Sequence, residues 1–293
     1  MIRRFIGIVL IFALSGCVQS PTKVFETTPA QKKPEASEGL RAGSVILDSR
    51  PDFEYAMSHV PGASSVHWQD FAQKESPFLG ELELDLFPQA RRLARYGIRP
   101  GTPVVIIGKG LESQGEDYRL AWTLKIMGLA DVTVVHQKDF SVPRLSGEEP
   151  PPVAEAMWKP EVQEDWRVTR ELFLVKAAKP EGPDRPIFID VRPESSYLGK
   201  DNSPFAFTAF AKTAPDFGAI NIPWKEFFQT DGRIQTAILP RLQAVGVTSD
   251  RAIYVIDEMG VKSAAVTFAL RALGYKKAAN FAGGYLELLA GKR

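Results

Sequence analysis

Two carboxylates stand side by side directly after a β-branched run in the second half of the chain. The run is Ile253–Ile256, and Asp257 and Glu258 follow it, ahead of a predicted helix. Acids at such a position could serve as acid-base groups or nucleophiles, for example toward a phosphoester or a small ester. A nucleophilic carboxylate would want nearby cations or a metal, and this loop supplies only Lys262.

The chain has one cysteine, Cys17, and its surroundings are typical of a secretion signal. Two arginines near the start precede ten residues, 5–14, that carry no charge or polar group. A helix of that length rises about 15 Å, too short for a hydrocarbon core of roughly 30 Å. Leu14-Ser15-Gly16-Cys17 resembles the bacterial lipobox, which is cleaved before a cysteine that carries diacylglycerol. We therefore predict an acylated Cys17 that anchors the protein to a membrane.

The charge balance gives no reason to expect a nucleic-acid partner. Once the two signal-peptide arginines are removed, 34 basic and 35 acidic side chains remain, a net charge of about −1. Val18 stands where an inner-membrane retention signal would have Asp, so we expect sorting to the outer membrane. With 44% apolar residues, the chain can form two domains with cores.

A pattern in the first half of the chain returns in the second. Residues 45–51 are VILDSRP and residues 187–193 are IFIDVRP, so two strand-like runs end in Asp-x-Arg-Pro. Either arginine could bind a substrate, but an ion pair that holds the neighbouring loop together is the more economical interpretation. We predict structural pairs in both copies, and they are Asp48 with Arg50 and Asp190 with Arg192.

The two copies continue with the same order of elements. Each has a strand, 104–107 or 253–256, then a loop and an amphipathic helix that ends at a Gly, then a second strand, 132–135 or 278–281. Strands that alternate with helices indicate a mainly parallel sheet with helices on both faces. The fold class is therefore α/β, with two tandem domains.

The composition along the chain sets the predicted boundaries. They are a signal peptide at 1–16, a lipid-anchored disordered tether at 17–40, a first domain at 41–142, a Pro-rich linker at 143–165 and a second domain at 166–293.

Other polar residues indicate no cofactor. The histidines at 59, 67 and 136 lack the spacing of a metal pair, so we interpret all three as structural and predict no metal. The loop Gly108–Asp117 has neither the Gly-Lys-Ser/Thr ending of a nucleotide cradle nor a nucleophile, and we predict a surface loop there.

The repeated Asp-x-Arg, a Pro-Gly-Ala turn at 61–63 and Gly283-Gly284-Tyr285 together resemble the tandem rhodanese, or thiosulfate/mercaptopyruvate sulfurtransferase, family. The resemblance covers residues 40–293. It implies a silent first half and a second half with a cysteine at the start of a loop between a strand and a helix. In that family, the loop N–H groups and the helix N-terminus stabilise a thiolate and then a persulfide.

This sequence departs from the family at the residues that carry the chemistry. The aligned loop consists of Asp257, Glu258, Met259, Gly260, Val261 and Lys262. The resemblance thus implies that Asp257 replaces the cysteine, and that Ser196 stands where the family has a substrate-binding Arg. Because a carboxylate forms no stable persulfide, sulfur transfer by the family mechanism is excluded. We expect the Asp257 carboxylate to fold into the loop and accept hydrogen bonds from the N–H groups of the loop.

We predict a rhodanese-like lipoprotein that is not an enzyme and acts as a binding or scaffolding module in the cell envelope. Two alternatives remain open: an envelope enzyme with altered chemistry at Asp257, and a sensor that binds a small anion. The expected partners are the membrane, through Cys17, and an envelope protein. The expected location is the outer membrane, facing the periplasm or the cell surface.

Overall fold

Each copy of the repeated pattern folds around a four-stranded sheet in which all strands are parallel. The computed structural model describes residues 41, 43–139, 152, 157–200 and 216–290, all within the compact unit Pro34–Arg293. The predicted signal peptide, Cys17 and the tether lie outside the described residues, as does part of the linker.

The first sheet has the strand order β2-β1-β3-β4. Its strands are β1 at Val45–Asp48, β2 at Ser64–Ser65, β3 at Val104–Gly108 and β4 at Val132–His136. Every residue of the central strand β3 is buried, as expected of a β-branched run in a parallel sheet that is covered on both faces.

The second sheet repeats this order as β6-β5-β7-β8. Its strands are β5 at Ile187–Asp190, β6 at Ile220–Asn221, β7 at Ile253–Ile256 and β8 at Ala278–Asn280. Asp48 pairs with Ile107 in the first sheet and Asp190 with Ile256 in the second. Gly108 and Asp257 follow those two isoleucines, so they occupy equivalent positions.

Helices cover both faces of both sheets, which confirms the predicted fold class. They are α1 at Asp52–Met57, α2 at Phe87–Arg95, α3 at Glu116–Ile126, α4 at Arg170–Ala177, α5 at Glu194–Tyr197, α6 at Leu239–Ala244, α7 at Lys262–Ala272 and α8 at Gly284–Leu289. In the second half, Val255 packs with α6 and α7, while Ile256 packs with α4 and α8. In the first half, Ile106 packs with α2 and α3, and Ile107 packs with α1.

The prediction of amphipathic helices is wrong for α3 and α7. Nine of the 11 residues of α3 and seven of the 11 residues of α7 are buried. Each helix packs on its own sheet and against the other helix. The Tyr118 ring of α3, for example, lies 5.4 Å from the Phe268 ring of α7. Burial on two sides leaves little room for a polar stripe, so the two halves share a helical interface.

The described part of the linker lies along the first half. The Trp158 indole N–H donates to Ile98 O at 3.1 Å, and the Gln163 amide donates to Ile126 O at 2.8 Å. Across the described ranges, no helix combines the length and the apolar character needed to cross a membrane.

Candidate functional site

The Asp257 carboxylate is buried in the loop between β7 and α7. It is 1% exposed and accepts hydrogen bonds from three groups of its own loop and helix. The donors are the Gly260 amide, the Lys262 amide at 2.7 Å and the Ser263 hydroxyl at 3.0 Å. This is the conformation that the sequence predicts, with the carboxylate at the N-terminus of an 11-residue helix.

Two buried polar residues that sequence reasoning missed extend this network. The Ser263 hydroxyl lies 2.6 Å from Asn280 Oδ1, and the Asn280 amide group donates to Gly260 O at 3.2 Å. Both side chains are fully buried. A Ser in the first turn of a helix and an Asn at a strand end were the only signals for them. Together they fix the loop on the side of Asp257 that faces β8.

Glu258, the second acid of the loop, is paired rather than free. The Lys262 ammonium lies 3.2 Å from Glu258 Oε2. Burial is the main cause that raises the pKa of Glu258, and the negative charge of Asp257 adds to it. Lys262 is thus engaged by an acid of its own loop, which leaves it poorly placed to attract an anionic substrate.

The Gly-Gly-Tyr motif closes the loop from the side of α8. The Tyr285 and Leu286 amides donate to the carbonyls of Asp257 and Glu258 at 2.9 and 3.0 Å. Gly284 has a φ of +58°, and a Cβ there would collide with the same two residues. Only glycine therefore allows α8 to begin this close to the loop.

The first half of the chain covers the loop from the opposite side. Arg119 of α3 is fully buried and donates to Gly260 O at 2.7 Å and to Gly80 O at 2.6 Å. A Cβ on Gly80 would collide with the carbonyl of Met259. Met259 itself packs on the core of the first half. Sequence reasoning missed Arg119 and Gly80 because their contacts join distant parts of the chain.

Arg119 is a cation held in an apolar site. Its guanidinium lies 4.5 Å from the Trp122 ring centroid and 5.2 Å from that of Trp68. Burial lowers the pKa of Arg119 to about 10. The guanidinium acts as a backbone clamp between the halves, since its hydrogen bonds go to two carbonyls.

Both predicted Asp–Arg pairs are present and buried. The closest N–O distances are 2.6 Å for Arg50 with Asp48 and 2.7 Å for Arg192 with Asp190. In both pairs the aspartate also accepts the backbone amide of its arginine. The Tyr285 hydroxyl donates to Asp190 at 3.0 Å, and burial raises the pKa of that tyrosine. Each pair thus ties a strand end to neighbouring loops, as a structural pair would.

The predicted surface loop in the first half is partly buried. Gly110 is buried, and a Cβ there would collide with the backbone of Asp231 and Gly232 in the second half. The Tyr118 hydroxyl donates to Gly232 O at 2.9 Å. The expectation was wrong here because the loop lies at the interface of the two halves, which the local sequence does not reveal.

The three histidines each contact a different residue. His59 stacks on Tyr55 at 3.9 Å between ring centroids, His67 lies 2.8 Å from an Asp52 oxygen, and His136 accepts the Lys138 amide at 2.9 Å. The part of the chain that the structure describes contains no group of three or more His, Cys, Asp or Glu residues arranged to hold a metal ion.

Comparison with known protein families agrees with this duplicated architecture of two sheets, each with a loop at its carboxyl edge. A family model for the rhodanese-like domain matches residues 32–137 and 175–290. The chain belongs to the rhodanese-like family. Its two rhodanese-like domains are the two halves described above. Among curated proteins, no sequence matches the chain.

Solved structures share this rhodanese-like fold over most of the chain. A probable thiosulfate sulfurtransferase is 24% identical, with 85% of this chain and 96% of that chain covered and a TM-score of 0.57. The 3-mercaptopyruvate sulfurtransferase SseA from Escherichia coli is 19% identical, with 83% and 93% covered and a TM-score of 0.65. The Tum1 protein from Saccharomyces cerevisiae is 13% identical, with 86% and 90% covered and a TM-score of 0.69. At these identities the likeness shows the fold alone.

Proposed function

We propose that this rhodanese-like protein is a membrane-anchored, catalytically inactive member of its family that acts as a binding or scaffolding module in the cell envelope. The observation that carries the proposal is the buried Asp257 carboxylate, hydrogen-bonded to the loop amides at the position that a nucleophilic cysteine would need. A carboxylate cannot hold a sulfane sulfur as a stable persulfide.

The chain offers no replacement thiol for this chemistry. Its one cysteine is Cys17, which precedes both rhodanese-like domains and which we propose to be acylated. The acylated residue would attach the protein to the outer membrane without a membrane-spanning helix, because two or more acyl chains bind stably.

The local geometry supports a binding role over the two alternatives. An enzyme that used Asp257 would need that carboxylate to reach a substrate, yet it is 1% exposed and accepts three hydrogen bonds. A small anion would have to displace the same carboxylate from the loop amides. Lys262 is paired with Glu258 and adds little attraction for such an anion.

The interaction face that we propose lies at the carboxyl edge of the second sheet, where β5 ends beside β7 and leads into helix α5. Helix α5 begins two residues after Arg192, and the Tyr197 hydroxyl at its end donates to Ala219 O at 3.0 Å. Leu198 follows with 47% of its surface exposed. Leu198 is thus an exposed apolar residue next to a segment held by a hydrogen bond, which makes it a suitable contact for an envelope protein.

A photo-crosslinking amino acid at position 198 tests the partner in living cells. The matched control is position 175, where Val175 on α4 is 60% exposed. We expect a discrete crosslinked product from position 198 that position 175 does not give. No product from 198, or the same products from both sites, would contradict the proposed face.

Sulfurtransferase assays with thiosulfate and with 3-mercaptopyruvate test the lack of catalysis. We expect no turnover above background for the wild-type chain. Turnover by the wild type would refute the inactive assignment. The anchor is tested separately, since incorporation of labelled palmitate should occur in the wild type and be lost in Cys17→Ser.

A further inference from the structure

The chain enters the first half at the amino edge of the first sheet, where the parallel strands begin. Arg41 O accepts the Ser44 amide at 3.0 Å, and β1 begins at the next residue, Val45. The Val45 amide donates to Pro103 O at 2.9 Å, directly before β3. Residues 18–40, the predicted tether, therefore join the first half at this edge.

Helix α2 leads to the same edge. Arg95 is its last residue, and the Thr102 amide donates to Arg99 O at 2.9 Å in the turn that precedes β3. Because this turn is followed by Pro103, whose carbonyl accepts the Val45 amide, Arg99 lies beside the entry of the tether. Arg95 and Arg99 are both exposed.

This segment of the chain is strongly basic. Residues 86–111 contain four arginines, one lysine and no acid, although the whole chain has a formal net charge of only +1. Arg92 pairs with Asp70 at 2.7 Å. Within the described part of the chain, neither Arg95 nor Arg99 pairs with an acid. A surplus of positive charge is thus exposed at the amino edge.

The described acids near this edge do not cancel the surplus. Asp131, one residue before β4, pairs with Arg41. Glu161 of the linker lies against the turn that follows α3, and Lys159, two residues before it, is exposed as well. Each of these acids is balanced in number by a cation, so the two arginines at the end of α2 and in the following turn remain in excess.

An exposed apolar residue lies next to these arginines. Trp158 packs on the core of the first half, and its indole N–H donates to Ile98 O, one residue before Arg99. Met157, which precedes Trp158, has 68% of its surface exposed. Proteins that bind to the surface of a bilayer combine buried apolar area with the attraction of cations to anionic lipids. The amino edge offers both.

We propose that the amino edge of the first sheet lies on an anionic lipid surface, with Arg95 and Arg99 against the headgroups and Met157 at the boundary with the acyl chains. This inference rests on the proposed acylation of Cys17. A flexible chain of 23 residues, the number between Cys17 and Arg41, spans about 25–30 Å on average. Such a tether gives the edge that it enters a high effective concentration at the membrane, so a weak electrostatic contact is enough.

Quenching of a fluorophore on vesicles tests this face. Because Cys17 is the one cysteine and would carry the lipid, Met157→Cys introduces a single site for a fluorophore in the acylated chain. The matched control is Met57→Cys, because Met57 is 57% exposed and adjoins Ser58, whose carbonyl accepts Arg50 at the carboxyl end of β1. The vesicles are phosphatidylcholine with or without phosphatidylglycerol, and they carry a nitroxide quencher on the headgroups. We expect stronger quenching at position 157 than at position 57, and only with phosphatidylglycerol.

Charge variants test the role of the two arginines. Arg95→Gln combined with Arg99→Gln should lower the quenching at position 157 to the level at position 57. Lys179→Gln combined with Lys276→Gln removes the same charge from exposed positions of the second half and should leave the quenching unchanged.

Flotation of the same samples reports the anchor alone, so the two proposals can fail separately. A chain that floats with the vesicles but is quenched equally at both positions would overturn the face and leave the anchor intact. The same holds for quenching that persists without the two arginines or that is as strong on pure phosphatidylcholine. A chain that does not float would refute the anchor, and the face with it.

Discussion

Replacing Asp257 by alanine should destabilise the protein by about 3 kcal/mol. The carboxylate accepts the amides of Gly260 and Lys262 and the Ser263 hydroxyl, all in a buried loop. Alanine would leave the two amides without their acceptor. An orphaned buried donor costs about 1–3 kcal/mol, so two cost about 2–6 kcal/mol. The mutation also removes a buried negative charge, whose desolvation opposes folding, and this offsets part of the lost stability. The net loss in free energy of unfolding is therefore expected in the lower half of the range.

Equilibrium unfolding in urea measures this difference in free energy of unfolding. The matched control is Glu258→Ala, the neighbouring acid, whose ion pair with Lys262 is partly exposed and should be worth less than about 1 kcal/mol. If Asp257→Ala cost less than the control, the carboxylate would not be holding the loop. The structural basis of the inactive assignment would then fail.

Two further predictions concern the first half. Gly80→Ala should loosen the contact between the halves, because its Cβ would meet the Met259 carbonyl, whereas Gly182→Ala, with open space around it, should be nearly neutral. Differential scanning calorimetry compares the two variants, and equal melting temperatures would contradict the close contact. Because burial raises the pKa of Asp117 from 3.8 to about 7, the folded state binds an extra proton between these values. The free energy of unfolding should therefore fall by about 3 kcal/mol as the pH rises from about 4 to about 7. Asp117→Asn should make this slope shallower than in the wild type in urea titrations, and an unchanged slope would contradict the assignment.

The strands could be predicted because their signal is local. The runs at 104–107 and 253–256 are β-branched and bounded by polar loops, and both form central strands. Two of the edge strands, Ser64–Ser65 and Ile220–Asn221, are two residues long and too short to show a period. The tandem architecture followed from the repeat alone.

The candidate site, too, could be predicted from the sequence only where its signals are local. The position and hydrogen bonding of Asp257 could be expected, since strand, loop and helix are adjacent in sequence. The contacts of Arg119 and Gly80 could not, because they depend on how the halves pack. The burial of most residues of α3 and α7 has the same origin. A sequence pattern describes one helix at a time, and these two helices bury each other.

The most direct test of the central claim is the mass of the intact chain after incubation with thiosulfate. The wild type should show no added sulfur atom in the rhodanese-like domains, since Asp257 cannot form a persulfide. Asp257→Cys serves as the comparison, because its thiol would stand at the start of the same loop and helix. A mass increase of one sulfur atom that maps to residues 41–290 of the wild-type chain would contradict the account.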